Sequence, residues 1–501
     1  MTPAALRVVL AEHLDLEAEN SQVVSRAYLD TFEGLVRQAD MSLLWEDGWL
    51  QLLGGGGRAI AAMSFSPMPT VIRASELPPG ALHDRLAPVI GLRAAIAHGH
   101  MRVGRRALRV LDREGKTVAR LGIEEPSITP AGRRQARLAT RLTITAVRGY
   151  DKALGQVRSV LEDTVGLTAA RASLADEAVL AAGGTPSRHL AASDVRLEPQ
   201  QRADLAAAAI LTRLTAAIEA NLPGTLADID TEFLHDLRVA VRRTRSLQRE
   251  LRGVFPQPEL ARFRAEFRWL QEITGPTRDL DVYLLEFDSF AGSLAAGRQS
   301  DLQELRVLLG ERRSRAHARM VRALRSRRTQ TLLTDWKRLV ETLPGRSEDD
   351  RPDAARPIAE LAAQRIGKVY RHMVRMGTRI DDQSPPAALH DLRKRGKELR
   401  YLLEFFAPLF PEATTQPMIK ALKSLQDVLG RFQDREIQAQ MLCSLGDEIA
   451  QQDGGAVALM AMGVLVERLE AQQAEARAEF AQRFAPFAAW RGDAAGKALL
   501  V

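Results

Sequence analysis

The sequence predicts an α+β chain, with a strand-rich amino-terminal domain followed by a larger all-helical one. Three observations carry this. Up to about residue 170, short apolar runs alternate with turns; beyond Gln200 the apolar period lengthens to that of amphipathic helices; and within the helical part a motif returns at a fixed offset.

Taken in order, Leu6–Leu10, Ser42–Leu53, Ala107–Leu111, Thr117–Ile123 and Arg141–Val147 read as strands. Asp112-Arg-Glu-Gly115 reads as a hairpin turn. Gly54–Gly57 lacks the Gly-Lys-Ser/Thr of a phosphate-cradling loop and reads as a flexible hairpin tip. Ala169–Gly184 is a short helical piece, and the stretch from Gly183 to Pro199 is a linker. Then come long amphipathic helices over Leu205–Ala220, Asp228–Phe255, Leu260–Thr274, Asp279–Phe290 and Asp301–Leu324, with counterparts further on. Ser347–Asp353 and Asp381–Pro386 are the clearest breaks. Domains are therefore expected at 1–195 and 203–490, the latter in halves of about 205–345 and 356–490.

Composition narrows the chemistry. The chain has 501 residues, 46% hydrophobic and 27% charged, enough for two to four domains with their own cores. The lone Cys443 excludes a disulfide framework, a multi-cysteine zinc site and an iron–sulfur cluster, and suits a reducing compartment. Ala456–Val466, read as the longest apolar stretch, is too short to span a bilayer, so a cytoplasmic protein without a membrane partner is expected. The basic side is skewed: of 70 basic residues nine are lysine. Arginine's rigid fork of donors grips phosphate bidentately. Arg312–Arg328 holds eight arginines and no acid.

Leu234-His-Asp-Leu-Arg238 recurs as Leu389-His-Asp-Leu-Arg393, an offset of 155. Without a gap, Arg242 then meets Lys397, Arg245 meets Arg400, Phe255-Pro256 meets Phe410-Pro411, Gly275 meets Gly430 and Asp279 meets Asp434. Two copies of one helical unit, packed about a pseudo-two-fold axis, are expected. His235, Arg238, Arg242 and Arg245 fall at i, i+3, i+7 and i+10, a stripe roughly 80° wide and about 15 Å long on a helix. His390, Arg393, Lys397 and Arg400 repeat it. Arg312, Arg315, Arg319 and Arg322 form a third stripe, and Arg365, Lys368, His372 and Arg375 a fourth; Lys420 and Lys423 join the candidate set. Like charges at these spacings repel, which suggests an anion that neutralises them. Asp279 and Asp434, after the glycines, either cap their helices or orient the arginines.

The Leu-His-Asp-Leu-Arg motif, the spaced cations and the following Leu-Gln-x-x-x-Gly-x-x-x-Asp, all present twice, resemble the CHAD domain, the conserved histidine α-helical domain. The resemblance covers about residues 203–490. It implies helical bundles around a basic channel that binds inorganic polyphosphate, association with polyphosphate granules, and a channel lined by His235, Arg238, Arg242, Arg245, His390, Arg393, Lys397 and Arg400. Arg243 is matched by Glu398, so the two halves are expected to grip unequally.

Arg26-Ala-Tyr-Leu-Asp-Thr31, Leu43, Trp49–Leu52 and Leu108–Gly115 resemble a CYTH domain, the triphosphate tunnel fold, which implies an antiparallel β-barrel. That family's Glu-x-Glu-x-Lys strand and late alternating acids, which hold a divalent metal, are not in place. Leu6–Leu10 carries no acid, Glu17 and Glu19 fall in a polar loop-like stretch without the lysine, Ser42 and Leu44 replace arginines, and Thr143 and Thr145 stand where carboxylates are needed. The expectation is a degenerate CYTH-like domain without enzymatic activity, metal or cofactor. Nucleic-acid binding is the chief alternative, although the stripes lack stacking aromatics; a diverged metal-dependent triphosphatase is the other.

Overall fold

The computed structural model describes residues 3–130, 134–183, 195–294 and 298–490, divided into two compact units, 1–189 and 190–501. Most of the expected linker, residues 184–194, lies outside the described residues.

In the first unit the strands are β1 (Leu16–Asp30), β2 (Met41–Glu46), β3 (Trp49–Gly54), β4 (Ala59–Ser64), β5 (Val71–Arg73), β6 (Ala94–Ala97), β7 (His100–Leu111), β8 (Thr117–Thr129), β9 (Ala136–Arg137) and β10 (Arg141–Ala146). Helices α1 (Pro3–Ala11), α2 (Leu35–Gln38), α3 (Ala81–Ile90), α4 (Asp151–Ser159) and α5 (Leu174–Ala181) accompany them. The sheet is antiparallel in the order β10-β8-β7-β1-β2-β3-β4, with β5 and β6 added beside β1. It does not close into the expected barrel. Its outer strands β4 and β10 are short, with only Ala61 buried between them; they do not pair with each other, and Leu142 and Ile144 of β10 pack instead against the cluster around Leu108 and Leu121.

Three local expectations change. Leu6–Leu10 is helical, with Leu6 and Leu10 buried on one side of α1 at the four-residue spacing a helix needs. Glu17 and Glu19 lie in β1, not in a loop, and both meet Arg109 across the ladder to β7. Ser42–Leu53 is two strands, folded at Asp47-Gly48, where φ is 43° and 89°; that left-handed pair makes the tight hairpin turn. The turns at Asp112–Gly115 and Gly54–Gly57 do join β7 to β8 and β3 to β4. Inside the sheet, Arg26 and Glu124, both nearly buried, form a closed four-charge cluster with Glu46 and Arg105.

The helical unit comprises α6 (Ala203–Ala227), α7 (Thr231–Glu250), α8 (Gln257–Ser293), α9 (Gln303–Leu324), α10 (Arg327–Thr342), α11 (Ile358–Gly377), α12 (Pro386–Phe406), α13 (Glu412–Ala450) and α14 (Gly455–Ala489). Asp230 caps α7 by accepting the backbone N–H groups of Glu232 and Phe233. α8 runs unbroken through Gly275-Pro276, where the composition suggested two helices. It continues because apolar burial spans the join, from Phe263, Phe267 and Leu270 to Leu280, Tyr283 and Phe287. α6 is long and apolar enough to cross a membrane by length and composition, a property the sequence reading missed because Arg213 and Glu219 interrupt the run. Here Ile210, Leu211, Leu214 and Ile218 of α6 are buried in the helical core.

The duplication is visible in the backbone. Adding 155 to the first residues of α6 and α8 gives the first residues of α11 and α13. Ala203 donates its N–H to the carbonyl of Arg356 at 2.9 Å, and Ile358 donates to Gln201 at 2.8 Å. Each bond is the other shifted by the repeat in both partners, which is what a local two-fold produces. Ion pairs obey the same operation: Arg243 meets Glu404 at 2.6 Å and Arg249 meets Glu398 at 3.0 Å, and the shift carries one pair onto the other with its polarity reversed. Both hydrophobic cores of the unit take residues from both copies. The break at Ser347–Asp353 is pinned by Arg351, which is buried and donates to the carbonyls of Ser347 and Leu343.

Arg243→Glu should cost about 1–2 kcal/mol in denaturant unfolding by opposing Glu404, and Arg243→Glu with Glu404→Arg should recover most of it. No recovery would mean the pair does not hold the copies in register.

Candidate functional site

The two-fold lays α7 beside α12, so Arg242 and its repeat-mate Lys397 become neighbours. A cleft of about 250 Å3 opens there, lined by Arg242, Arg245 and Arg249 of α7, Arg264 and Arg268 of α8, and Lys394 and Lys397 of α12. Glu398 is its only lining carboxylate. Among the described residues Arg242, Arg264, Arg268 and Lys397 make no ion pair or hydrogen bond, while Arg249 is held by Glu250 and Glu398. Cations lining one cleft repel each other, and partial burial weakens the solvent screening that would moderate this. Burial, then the neighbouring Arg393 and Arg242, lower the Lys397 ammonium to about 8. Arg245 is lowered by burial and then by Arg268 and Arg249.

A second cleft of about 560 Å3 is lined by Arg312, Arg315 and Arg319 of α9 with Asp279, Pro276 and Glu448. Asp279 also neighbours Arg238 and Arg242, and Asp434 neighbours Arg393 and Lys397. Both aspartates sit well inside α8 and α13 and so do not cap them. Burial raises both carboxyls despite the arginines beside them.

The structure separates the sequence candidates by role. Arg242, Arg245 and Lys397 line the first cleft; Arg315 and Arg319 line the second. Arg238 is buried and donates to the Gln271 carbonyl at 2.8 Å and Thr274 Oγ1 at 2.9 Å, tying α7 to α8; burial lowers it to about 10. Arg393 pairs with Asp434 at 3.0 Å. His390 bonds the Gln433 side chain, and burial together with nearby cations holds both His235 and His390 below the usual imidazole range, favouring the neutral form. Arg365 pairs with Asp353 and Arg400 with Glu404. Lys368, Arg375, Arg322, Lys420 and Lys423 are exposed, and they and His372 line neither cleft. Glu398, read as a sign of unequal grip, is the two-fold mate of Arg243 and accepts Arg249. The sequence reading missed Arg249, Arg264, Arg268 and Lys394. Arg264 and Arg268 at i and i+4 carried the same spacing signal as the chosen stripes.

An antiparallel sheet domain joined to a duplicated helical domain with a cleft rich in unpaired cations defines the class of this chain. Residues 209–443 match the family model of the CHAD domain. The CHAD domain from the plant Ricinus communis is 28% identical, covering 58% of this chain and 94% of its own, with a TM-score of 0.50. PptA from Streptomyces chartreusis is 18% identical over 57% of this chain and all of its own, with a TM-score of 0.43. Uncharacterized proteins from two strains of Mycobacterium tuberculosis are 29% identical over 218 residues, 42% of this chain. The chain spans 40% of the length of these curated relatives.

Lys397 ties electrostatics to stability. Its folded pKa lies below its ordinary value of 10.5, so the folded state binds fewer protons between pH 8 and 10.5. The charged lysine therefore destabilises the fold below pH 8, and that penalty is relieved as pH rises through the window. Lys397→Met should raise unfolding free energy at pH 7 by roughly 1–3 kcal/mol, with the gain shrinking toward pH 10.5 in urea titrations. A loss of stability at pH 7 would contradict a strained ammonium.

Proposed function

We propose that the helical domain binds inorganic polyphosphate in the cleft between α7 and α12, without turning it over, and that this links the protein to polyphosphate granules. The observation that carries this is the group of four cations, Arg242, Arg264, Arg268 and Lys397, gathered from three helices of both copies and making no ion pair among the described residues, with only Asp279 and Asp434 nearby to offset Arg242 and Lys397. A fold retains such repulsion at a cost, and a ligand of closely spaced negative charges removes it. The match to the CHAD family supports polyphosphate as that ligand.

One feature favours polyphosphate over nucleic acid. The cleft is lined by a single aromatic residue, Tyr401, which is buried and so offers no open ring for base stacking. Its arginines present forks suited to phosphate oxygens, which either polyanion supplies. For the sheet domain, a non-hydrolytic role is supported by charges that satisfy one another: Arg26 and Arg105 with Glu46 and Glu124, and Arg109 with Glu17 and Glu19.

Titration of long-chain polyphosphate into the full chain tests the proposal. Replacing Arg242, Arg264, Arg268 and Lys397 by glutamine should weaken binding at least about 100-fold, at roughly 1 kcal/mol or more per charge-assisted contact, with helicity unchanged by circular dichroism. Wild-type affinity should fall steeply with salt as counterions are released, less steeply in the variant. It should also fall as pH rises past 8, where free Lys397 loses its proton. Tighter binding of single-stranded RNA than of polyphosphate at physiological salt, or unchanged affinity in the variant, would overturn the proposal.

A further inference from the structure

The floor of the α7–α12 cleft breaks the two-fold. On α7 the cleft is lined by Ser246 and Gln248, and Thr244 lies one turn before Gln248; the repeat-mates of Thr244, Ser246 and Gln248 on α12 are Leu399, Tyr401 and Leu403. Gln248 and Thr244 are 0% exposed and Ser246 4%. Ser246 and Gln248 line the cleft, yet Ser246 Oγ and both polar atoms of the Gln248 amide lack any hydrogen-bond partner. A buried amide with neither end satisfied costs several kcal/mol, and the second copy accommodates leucine at the equivalent place. The polar floor is therefore a cost to the fold that a ligand can relieve.

We infer that this floor recognises the end of a polyphosphate chain, an inference that rests on the polyphosphate reading above. An interior phosphate has two bridging oxygens, a single charge and only acceptors to offer. The terminal phosphate has one bridging oxygen, three non-bridging oxygens and a second ionisation near neutrality, so it carries either an additional charge or a P–OH donor. Gln248 meets both needs: Nε2 donates to a non-bridging oxygen while Oε1 accepts a terminal P–OH, and Ser246, which lines the same cleft, adds an Oγ–H donor. Arg242, Arg245 and Lys397 line the same cleft, where the larger terminal charge is best matched. A cleft of about 250 Å3 floored by buried side chains suits a chain that stops there. The rest of the chain leaves along the basic walls.

The test compares linear hexaphosphate with cyclic hexametaphosphate, which has no end, by competition against labelled long-chain polyphosphate on the full chain. Their difference in charge is common to wild type and to neutral floor variants, so the change in the linear-to-cyclic ratio isolates the floor. The wild type should prefer the linear form by about tenfold, the loss expected for hydrogen bonds to a charged group. Ser246→Ala with Gln248→Leu, the latter copying Leu403, should remove most of that preference while raising the melting temperature. Gln248→Met is the second variant should the pair fail to fold. Equal wild-type affinities, or a ratio unchanged in the variants, would overturn end recognition. Failure of every polyphosphate to bind the wild type would instead overturn the polyphosphate reading.

Discussion

The helical domain is organised around a repulsion. Packing α7 against α12 about the two-fold forces Arg242 and Lys397, equivalent residues of the two copies, into one another's field, and α8 adds Arg264 and Arg268. Burial makes this worse, because removing water removes the screening that would otherwise quieten the charges. The lowered Lys397 is the clearest trace of it. A fold can hold such a cluster only if apolar burial elsewhere exceeds the penalty, and the two cores shared by both copies supply that burial.

Around this cluster most other charges are compensated, and the compensation is what gives the site its edges. Arg238 is spent on the α7–α8 contact, Arg393 on Asp434, Arg365 on Asp353 and Arg400 on Glu404. Asp279 and Asp434 act from inside their helices as internal anions beside the first arginine of each motif. The reversed pairs Arg243–Glu404 and Arg249–Glu398 flank the axis and hold the copies in register, so the apparent charge mismatch between the repeats is itself a product of the symmetry. In the sheet domain, Arg26, Arg105, Glu46 and Glu124 form a self-neutralised cluster, the opposite electrostatic solution to that of the cleft.

Much of this architecture was legible in the residues. The repeat offset gave the helix pairs and the axis, because a gapless register starts equivalent helices at one constant offset. The hairpins at Asp112–Gly115 and Gly54–Gly57 followed from turn chemistry. Elsewhere local signals misled. Gly275-Pro276 reads as a helix end, but burial on both sides carries α8 through it. Leu6–Leu10 reads as a strand in isolation, and Asp47-Gly48 hid inside an apolar run. Barrel closure depends on whether the edge strands pair, and β4 and β10 do not: the apolar side chains of β10 are already taken by the local core.

What the sequence by itself determined is periodic and local: two copies, amphipathic helices, and stripes of cations on single helix faces. Which stripes converge, which arginines are already paired, and which polar groups are left buried without partners were decided by tertiary packing. The reason is physical: spacing along a helix fixes which side chains share a face, while the partner of that face is chosen by the burial of residues far away in the chain. Lys368 and Arg375 share a stripe as regular as that of Arg242 and Arg245, yet they face solvent, because the apolar side of α11 is what the core required.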